Sequence, residues 1–168
     1  QGALVVIYNL DKLLCEVTGM KAFTSQPMAG AHGELTGIML IAAYHRKNGG
    51  KRTHVLVPDT SHGTNPSSAA IAGYETRTIP TDAGGVMDLE KYRAALNGET
   101  AAVMLTCPNT LGIFESRIGE IARLAHEQGA LVYCDGANMN AIVGRVRPGD
   151  IGFDVMHLNM HKTFATPH

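Results

Sequence analysis

Three groups of residues in this 168-residue chain have types and positions that could do chemistry. Lys162 follows the apolar run Val155-Met156-His157-Leu158. A lysine at the end of a buried strand can lose solvation, lower its pKa and become an amine able to form a Schiff base. Taken alone, a lysine near a chain end reads as a solvated surface group, so its context must decide. Asp135 closes a second apolar run, Ala130-Leu131-Val132-Tyr133-Cys134. A carboxylate there is costly unless something cationic or hydrogen-bonding meets it. A protonated pyridine nitrogen would serve, and a ring held protonated is a better sink for electrons released at a substrate Cα. The plainer role is a helix or turn cap. The third group, Ala29-Gly30-Ala31-His32-Gly33-Glu34, reads as a small-residue loop leading into a helix. Free N–H groups and the positive dipole end there can hold a phosphate without basic side chains, although a tight turn is the plainer reading.

The elements that must position these residues follow from periodicity. Leu4, Ile7, Leu14 and Val17 recur at helical spacing, with Gly19 as a stop. A second helix is predicted from near Glu34 to Lys47, then a buried strand over 54–58. Asn65 can cap and Pro66 is pre-shaped for a first helical position, so a helix is predicted over 66–73, followed by a strand over 75–79. A helix over 88–96, a strand over 101–106, an amphipathic helix over 116–128 and strands over 130–134 and 155–158 complete the alternation. Strands that are mostly apolar throughout, alternating with helices, predict an α/β fold: a mostly parallel sheet flanked by helices on both faces. Ligands then gather beyond the carboxyl ends of the strands. Asp135, Asn109, the Ser61–Thr64 stretch and the His161-Lys162 pair all fall there.

Composition narrows the function classes. Fourteen basic against fifteen acidic residues give a net charge of -1, so no global field recruits nucleic acid or an anionic membrane. No apolar run approaches the roughly 18 residues of a membrane span, and the start at Gln1 lacks the blocks of a signal peptide. A soluble, cytoplasmic protein is expected. Three widely spaced cysteines without a CxxC pair read as reduced, buried thiols. With 45% apolar residues the chain can form one domain, but its ending at Thr166-Pro167-His168 reads as a cut rather than a finish.

Five stretches carry a resemblance, in order along nearly the whole chain: Gly30-Ala31-His32-Gly33-Glu34, Ser61–Pro66, Pro108–Gly112, Cys134–Asn140 and His157–Phe164. Together they resemble the glycine-decarboxylating P-proteins of the glycine cleavage system, most nearly the second subunit of the two-subunit bacterial form. The resemblance implies an aminotransferase-like (fold type I) large domain, truncated, spanning 1–168, that binds pyridoxal 5'-phosphate; the small C-terminal domain is absent. It implies that Lys162 forms the Schiff base, that Asp135 pairs with the pyridinium nitrogen, and that His62 and Ala137 lie on the two ring faces. It places Asn109 near the phenolic oxygen, and Gly30 and Ala31 at the phosphate. Thr64 belongs with the cofactor contacts, and His161 sits next to the lysine with phosphate or dipole neutralisation as its role. The implied reaction is decarboxylation of glycine with transfer of the aminomethyl group to the lipoyl arm of the H-protein. The implied partners are a P-protein subunit 1 and a dimeric assembly, and the isolated piece is expected to be inactive.

Other chemistries fit less well. A zinc site is the main rival, because His157 and His161 are four apart and His32, His45, His54, His62, His126 and His168 are also present. Their stretch reads as a strand running into a loop, and no HExxH occurs, so no metal is expected. Hydrolase chemistry from Ser61 or Cys107 lacks a G-x-S-x-G elbow and a nearby base. Met104, Met139, Met156 and Met160 read as core filler. Another fold-type I enzyme (a cysteine desulfurase-like protein or an amino acid decarboxylase), or a non-catalytic assembly fragment, remains the alternative.

Overall fold

The computed structural model describes residues 1–167; His168, counted among the histidines above, lies outside the described residues. The chain runs α1 (Gly2–Thr18), α2 (Gly30–Lys47), β1 (His54–Pro58), α3 (Thr64–Ile71), β2 (Glu75–Ile79), α4 (Leu89–Ala95), β3 (Thr100–Thr106), α5 (Ile118–Glu127), β4 (Leu131–Gly136), a 3-10 turn (Pro148–Ile151), β5 (Val155–Leu158) and the one-turn helix α6 (Met160–Thr163). The five strands form one sheet in the order β2-β1-β3-β4-β5, with every adjacent pair parallel. The expected α/β class is therefore what folds, and among the described strands the sheet is wholly rather than mostly parallel.

Why these runs become strands is visible in how their side chains divide. Along β1, Val55 and Val57 join the cluster under α2 and α3, whereas Leu56 joins the opposite one. Met104 and Tyr133 follow the first pattern, and Val103, Leu105, Val132 and Cys134 the second. Both faces of the strands are thus buried, which is why the sequence shows unbroken apolar runs rather than alternation. Helix α5 places Ile118, Ile121, Ala122 and Ala125 on one stripe against β3 and β4. Ile121 is fully buried, and burying such a side chain contributes about 1.5–3 kcal/mol.

Two boundaries differ from the sequence expectation, and each has a cause. Helix α2 begins at Gly30, one turn before Glu34, so the small-residue stretch is the first turn of the helix and not a loop ahead of it. Gly30 is required there by packing: a Cβ on it would fall 2.2 Å from Asn159 Oδ1. Helix α3 begins at Thr64 with Gly63 as its cap residue, so Asn65 does not cap it. The Asn65 side chain is instead wholly buried and turned into the sheet end, where stronger partners than a helix N–H await it.

Three buried histidines make stability pH-dependent. His45 reaches the Ala101 carbonyl at 2.8 Å from Nε2, His54 lies 2.9 Å from Thr100 Oγ1, and His157 is buried near the strand ends. Burial is the first cause in each case, and it pushes all three below the ordinary value of 6.5. Because the unfolded chain binds these protons more tightly, their contribution is fully present above 6.5 and is lost as pH falls through the depressed folded values. Urea midpoints are expected to fall between pH 7.5 and pH 5.5, and His45→Gln should flatten that slope. An unchanged midpoint would contradict it.

Candidate active site

The parallel strands present their carboxyl ends along one edge of the sheet, and the strand order reverses between β1 and β3. Asp135 is the fifth residue of β4, only 6% exposed, beside His157 of β5 in the parallel register. Its Oδ1 accepts the Ala137 backbone N–H at 3.1 Å and lies 3.3 Å from His157 Nε2. Its Oδ2 accepts from Asn65 Nδ2 at 3.1 Å. A carboxylate in this position is costly unless met by donors, and three donors meet it.

The same amide of Asn65 also donates to Glu34 Oε2 at 2.9 Å, and the Thr64 hydroxyl donates to that oxygen at 2.8 Å. Thr64 Oγ1 in turn lies 2.7 Å from His62 Nδ1 on the exposed loop between β1 and α3. On the other side, Tyr133 Oη is 2.7 Å from His157 Nδ1. Burial, reinforced by Glu34 and Asp135, raises the Tyr133 phenol far above its ordinary range, so its hydroxyl stays neutral and donates. The ring proton of neutral His157 then sits on Nε2 and is given to Asp135. Desolvation holds His157 low against the pull of Asp135 and Glu34, and the nearby charges of Lys162 and His62 push the same way as burial. The imidazole thus senses Asp135, Glu34, Lys162 and His62 together.

Lys162 sits on α6, the one-turn helix that carries the chain past the end of β5. It is exposed, so the desolvated setting expected of it is not supplied by this chain: the turn lifts the side chain clear of the strand end. Its backbone is nevertheless tied to the Asp135 loop. The Lys162 carbonyl accepts from Asn140 Nδ2 at 2.9 Å, Thr163 Oγ1 donates to Asn140 Oδ1 at 3.2 Å, and the same hydroxyl accepts the Met139 N–H at 3.2 Å. The segment after Asp135 and the turn bearing Lys162 are therefore tied to each other.

At the start of α2, Gly33 N makes the first intrahelical bond, to Ala29 O at 2.9 Å. The N–H groups of Gly30 and Ala31 precede it and point out at the positive end of an 18-residue helix. A groove of about 510 Å³ is lined by Gly30, His157, Asn159 and His161 among others, so that helix end and the lysine turn share one opening. Asn109 is not drawn into this cluster by its bonds. Its amide donates to Gly85 O at 2.7 Å and its Oδ1 accepts from Leu111 N and Ile113 N, which commits the side chain to its own turn.

The rival chemistries can be placed against this geometry. His157 and His161 fall on different elements, and the stretch after β5 is a helical turn where a loop was expected. Glu34, Asp135 and His157 present ligand atoms within 4.8 Å of one another, but Thr64, Asn65, Ala137 and Tyr133 already engage them. Cys107 is buried, and burial pushes its thiol up to about 11, the reverse of a thiolate nucleophile. Cys107, Cys134 and Cys15 are all unpaired thiols, and the first two are buried as expected.

Sequence reasoning missed Glu34, Asn65, Tyr133 and His157 as site residues. One signal was present for Glu34: it shares the buried stripe of α2 with Gly37, Ile38, Ile41, Ala42 and His45, and a carboxylate on such a stripe demands a partner. Nothing comparable marks His157.

Comparison with known proteins bears on the family and the fold. The chain is 60% identical, over its whole length, to a protein of Caldanaerobacter subterraneus subsp. tengcongensis called "Probable glycine dehydrogenase (decarboxylating) subunit 2". It spans about 35% of that relative's length. Among solved structures it superposes on a glycine decarboxylase (P-protein) of the glycine cleavage system in inhibitor-bound form with a TM-score of 0.73 and 25% identity, over 95% of this chain and 35% of that one. A NifS-like protein shares the fold with a TM-score of 0.76 at 14% identity, over 99% of this chain and 46% of the other. Residues 32–167 match the aminotransferase class-V family, a span that holds every strand of the sheet together with Asp135 and Lys162, and the chain belongs to that family.

Proposed function

We propose that this chain is the lysine-bearing part of a pyridoxal 5'-phosphate domain which, within a complete glycine-decarboxylating subunit, releases CO2 from glycine and passes the aminomethyl group to the lipoyl arm of the H-protein. The observation that carries the reading is the set of bonds joining the Asp135 segment to the Lys162 turn through Asn140 and Thr163. It ties an amine-bearing turn to the segment that follows a buried carboxylate.

The residues present fit the cofactor. Four buried polar atoms lack partners among the described residues: Glu34 Oε1, Asn65 Oδ1, Thr106 Oγ1 and Asn159 Oδ1. All belong to the strand ends or the helix starts beside them, where a polar ligand would meet them. When bound, the cofactor supplies a carbonyl for an amine and a pyridinium ring that accepts the electron pair left at the substrate Cα.

Each side chain then has a task. Lys162 provides the amine for covalent attachment. Asp135, oriented by the His157 and Asn65 N–H groups, sets a negative charge against the ring nitrogen. Gly30 and Ala31 offer backbone N–H groups to the phosphate at the α2 start, with Thr64 and His161 at the rim. His62 and Ala137 flank the ring. The remainder of the subunit, a subunit 1 partner and a dimeric assembly in the cytoplasm complete the machinery.

The test is made on the complete subunit with its partner and lipoylated H-protein. Labelled CO2 should exchange into the carboxyl of glycine and not into that of alanine or serine. Sulfur release from cysteine with no exchange into glycine would overturn the substrate assignment.

A further inference from the structure

Glu34 is the feature of the strand-end cluster that the mechanism above does not use. It is 2% exposed, carries a carboxylate into the core, and leaves Oε1 without a partner. A neutral glutamine would accept the Thr64 and Asn65 bonds just as well, and burying a second carboxylate near Asp135 is unfavourable by itself. A buried charge retained where an amide would do points to a use for the charge.

The route by which it acts is direct. Asn65 has two amide hydrogens, and it gives one to Glu34 Oε2 at 2.9 Å and the other to Asp135 Oδ2 at 3.1 Å. The two carboxylates share one donor, which fixes the amide so that both N–H bonds face acids. Turned over, Oδ1 would face two negative oxygens. Asn65 itself is fully buried, so water does not compete for either bond.

We infer that Glu34, acting through Asn65, is a positioning residue for Asp135: it locks the amide that pins Asp135 and adds a second negative charge behind it, so that a cationic ring nitrogen is held more firmly. The inference rests on the cofactor reading proposed above. The groups facing the Asp135 carboxylate are His157 from β5, Asn65 from α3 and the Ala137 N–H, with Cys134 next to it on β4, while Tyr133, Glu34, Lys162 and His62 act on His157.

The experiment uses the full-length subunit assembled with its partner. Glu34→Gln removes the charge and keeps the acceptor; Asn65→Ala cuts the link and leaves both carboxylates. Three quantities are read: the dissociation constant of pyridoxal 5'-phosphate, the pH midpoint of the visible absorbance of the bound cofactor, and the far-ultraviolet circular dichroism. Glu34→Gln is expected to move the midpoint to lower pH by about 1, the scale of a nearby charge. Asn65→Ala is expected to weaken cofactor binding roughly tenfold, the scale of one hydrogen bond to a charged group. Circular dichroism should not change.

If Glu34→Gln matches the parent protein in midpoint and affinity while Asp135→Asn does not, the inference is overturned and the cofactor reading stands. If Asp135→Asn also matches, or the parent binds no cofactor, the cofactor reading itself fails. Should Glu34→Gln not fold, Asn65→Ala decides alone: parental affinity and midpoint refute the link.

Discussion

Replacing Lys162 by alanine should abolish the visible absorbance of bound cofactor and with it the exchange of CO2 into glycine, because the amine for covalent attachment is removed. Lys162 is the single lysine between Leu96 and the end of the chain, and its turn is tied to the Asp135 segment through Asn140 and Thr163. Because the side chain is exposed and α6 is held by backbone bonds from Asn159 and Met160, the substitution should leave the fold intact. Circular dichroism and urea midpoints close to those of the parent would show it. Visible absorbance surviving in the variant would exclude the lysine from attachment.

The second large effect is expected at Asp135. Asparagine keeps the size and one acceptor but loses the charge, and it presents an amide where the His157 N–H, the Ala137 N–H and the Asn65 amide all donate. Removing one partner of a buried, hydrogen-bonded charge pair costs about 2–5 kcal/mol, which corresponds to roughly 30- to several-thousand-fold in rate at about 1.4 kcal/mol per factor of ten. Cofactor should still attach through Lys162, so visible absorbance is retained while CO2 exchange falls. Near-normal exchange in Asp135→Asn would remove the electron-sink role.

These two effects differ in what they ask of the fold. Lys162 needs only to be reachable, and a one-turn helix at the sheet edge suffices. Asp135 must be negative, buried and aimed, and that requires β4, β5, α2 and α3 together. Strands β1 and β3 were readable because both of their faces are buried, so Val55-Leu56-Val57 and Ala101 to Leu105 had to be apolar throughout. Helix α5 was readable for the opposite reason, since only its stripe from Ile118 to Ala125 is buried. Asp135 stood out because a carboxylate ending an apolar strand has few physical excuses.

What stayed hidden depends on distant pairing. Asn65 looked like a helix cap because an asparagine before a proline usually is one; its actual partners are 31 and 70 residues away. His157 looked like any histidine in an apolar run, and its role arises only once β4 and β5 pair Asp135 with it. Asn109, expected beside the cofactor, has its side chain bonded within its own turn, to Gly85 O, Leu111 N and Ile113 N. Local periodicity finds elements and their ends; it does not say which buried polar groups satisfy each other.

The measurement that bears most directly on the central claim is covalent trapping. Pyridoxal 5'-phosphate is added to the full-length subunit, the mixture is reduced with borohydride, and the digested peptides are weighed. The account predicts a single pyridoxyl adduct on the peptide containing Lys162, absent when the cofactor is omitted and lost in Lys162→Ala. An adduct confined to another lysine, or none at saturating cofactor with the protein folded, would contradict it.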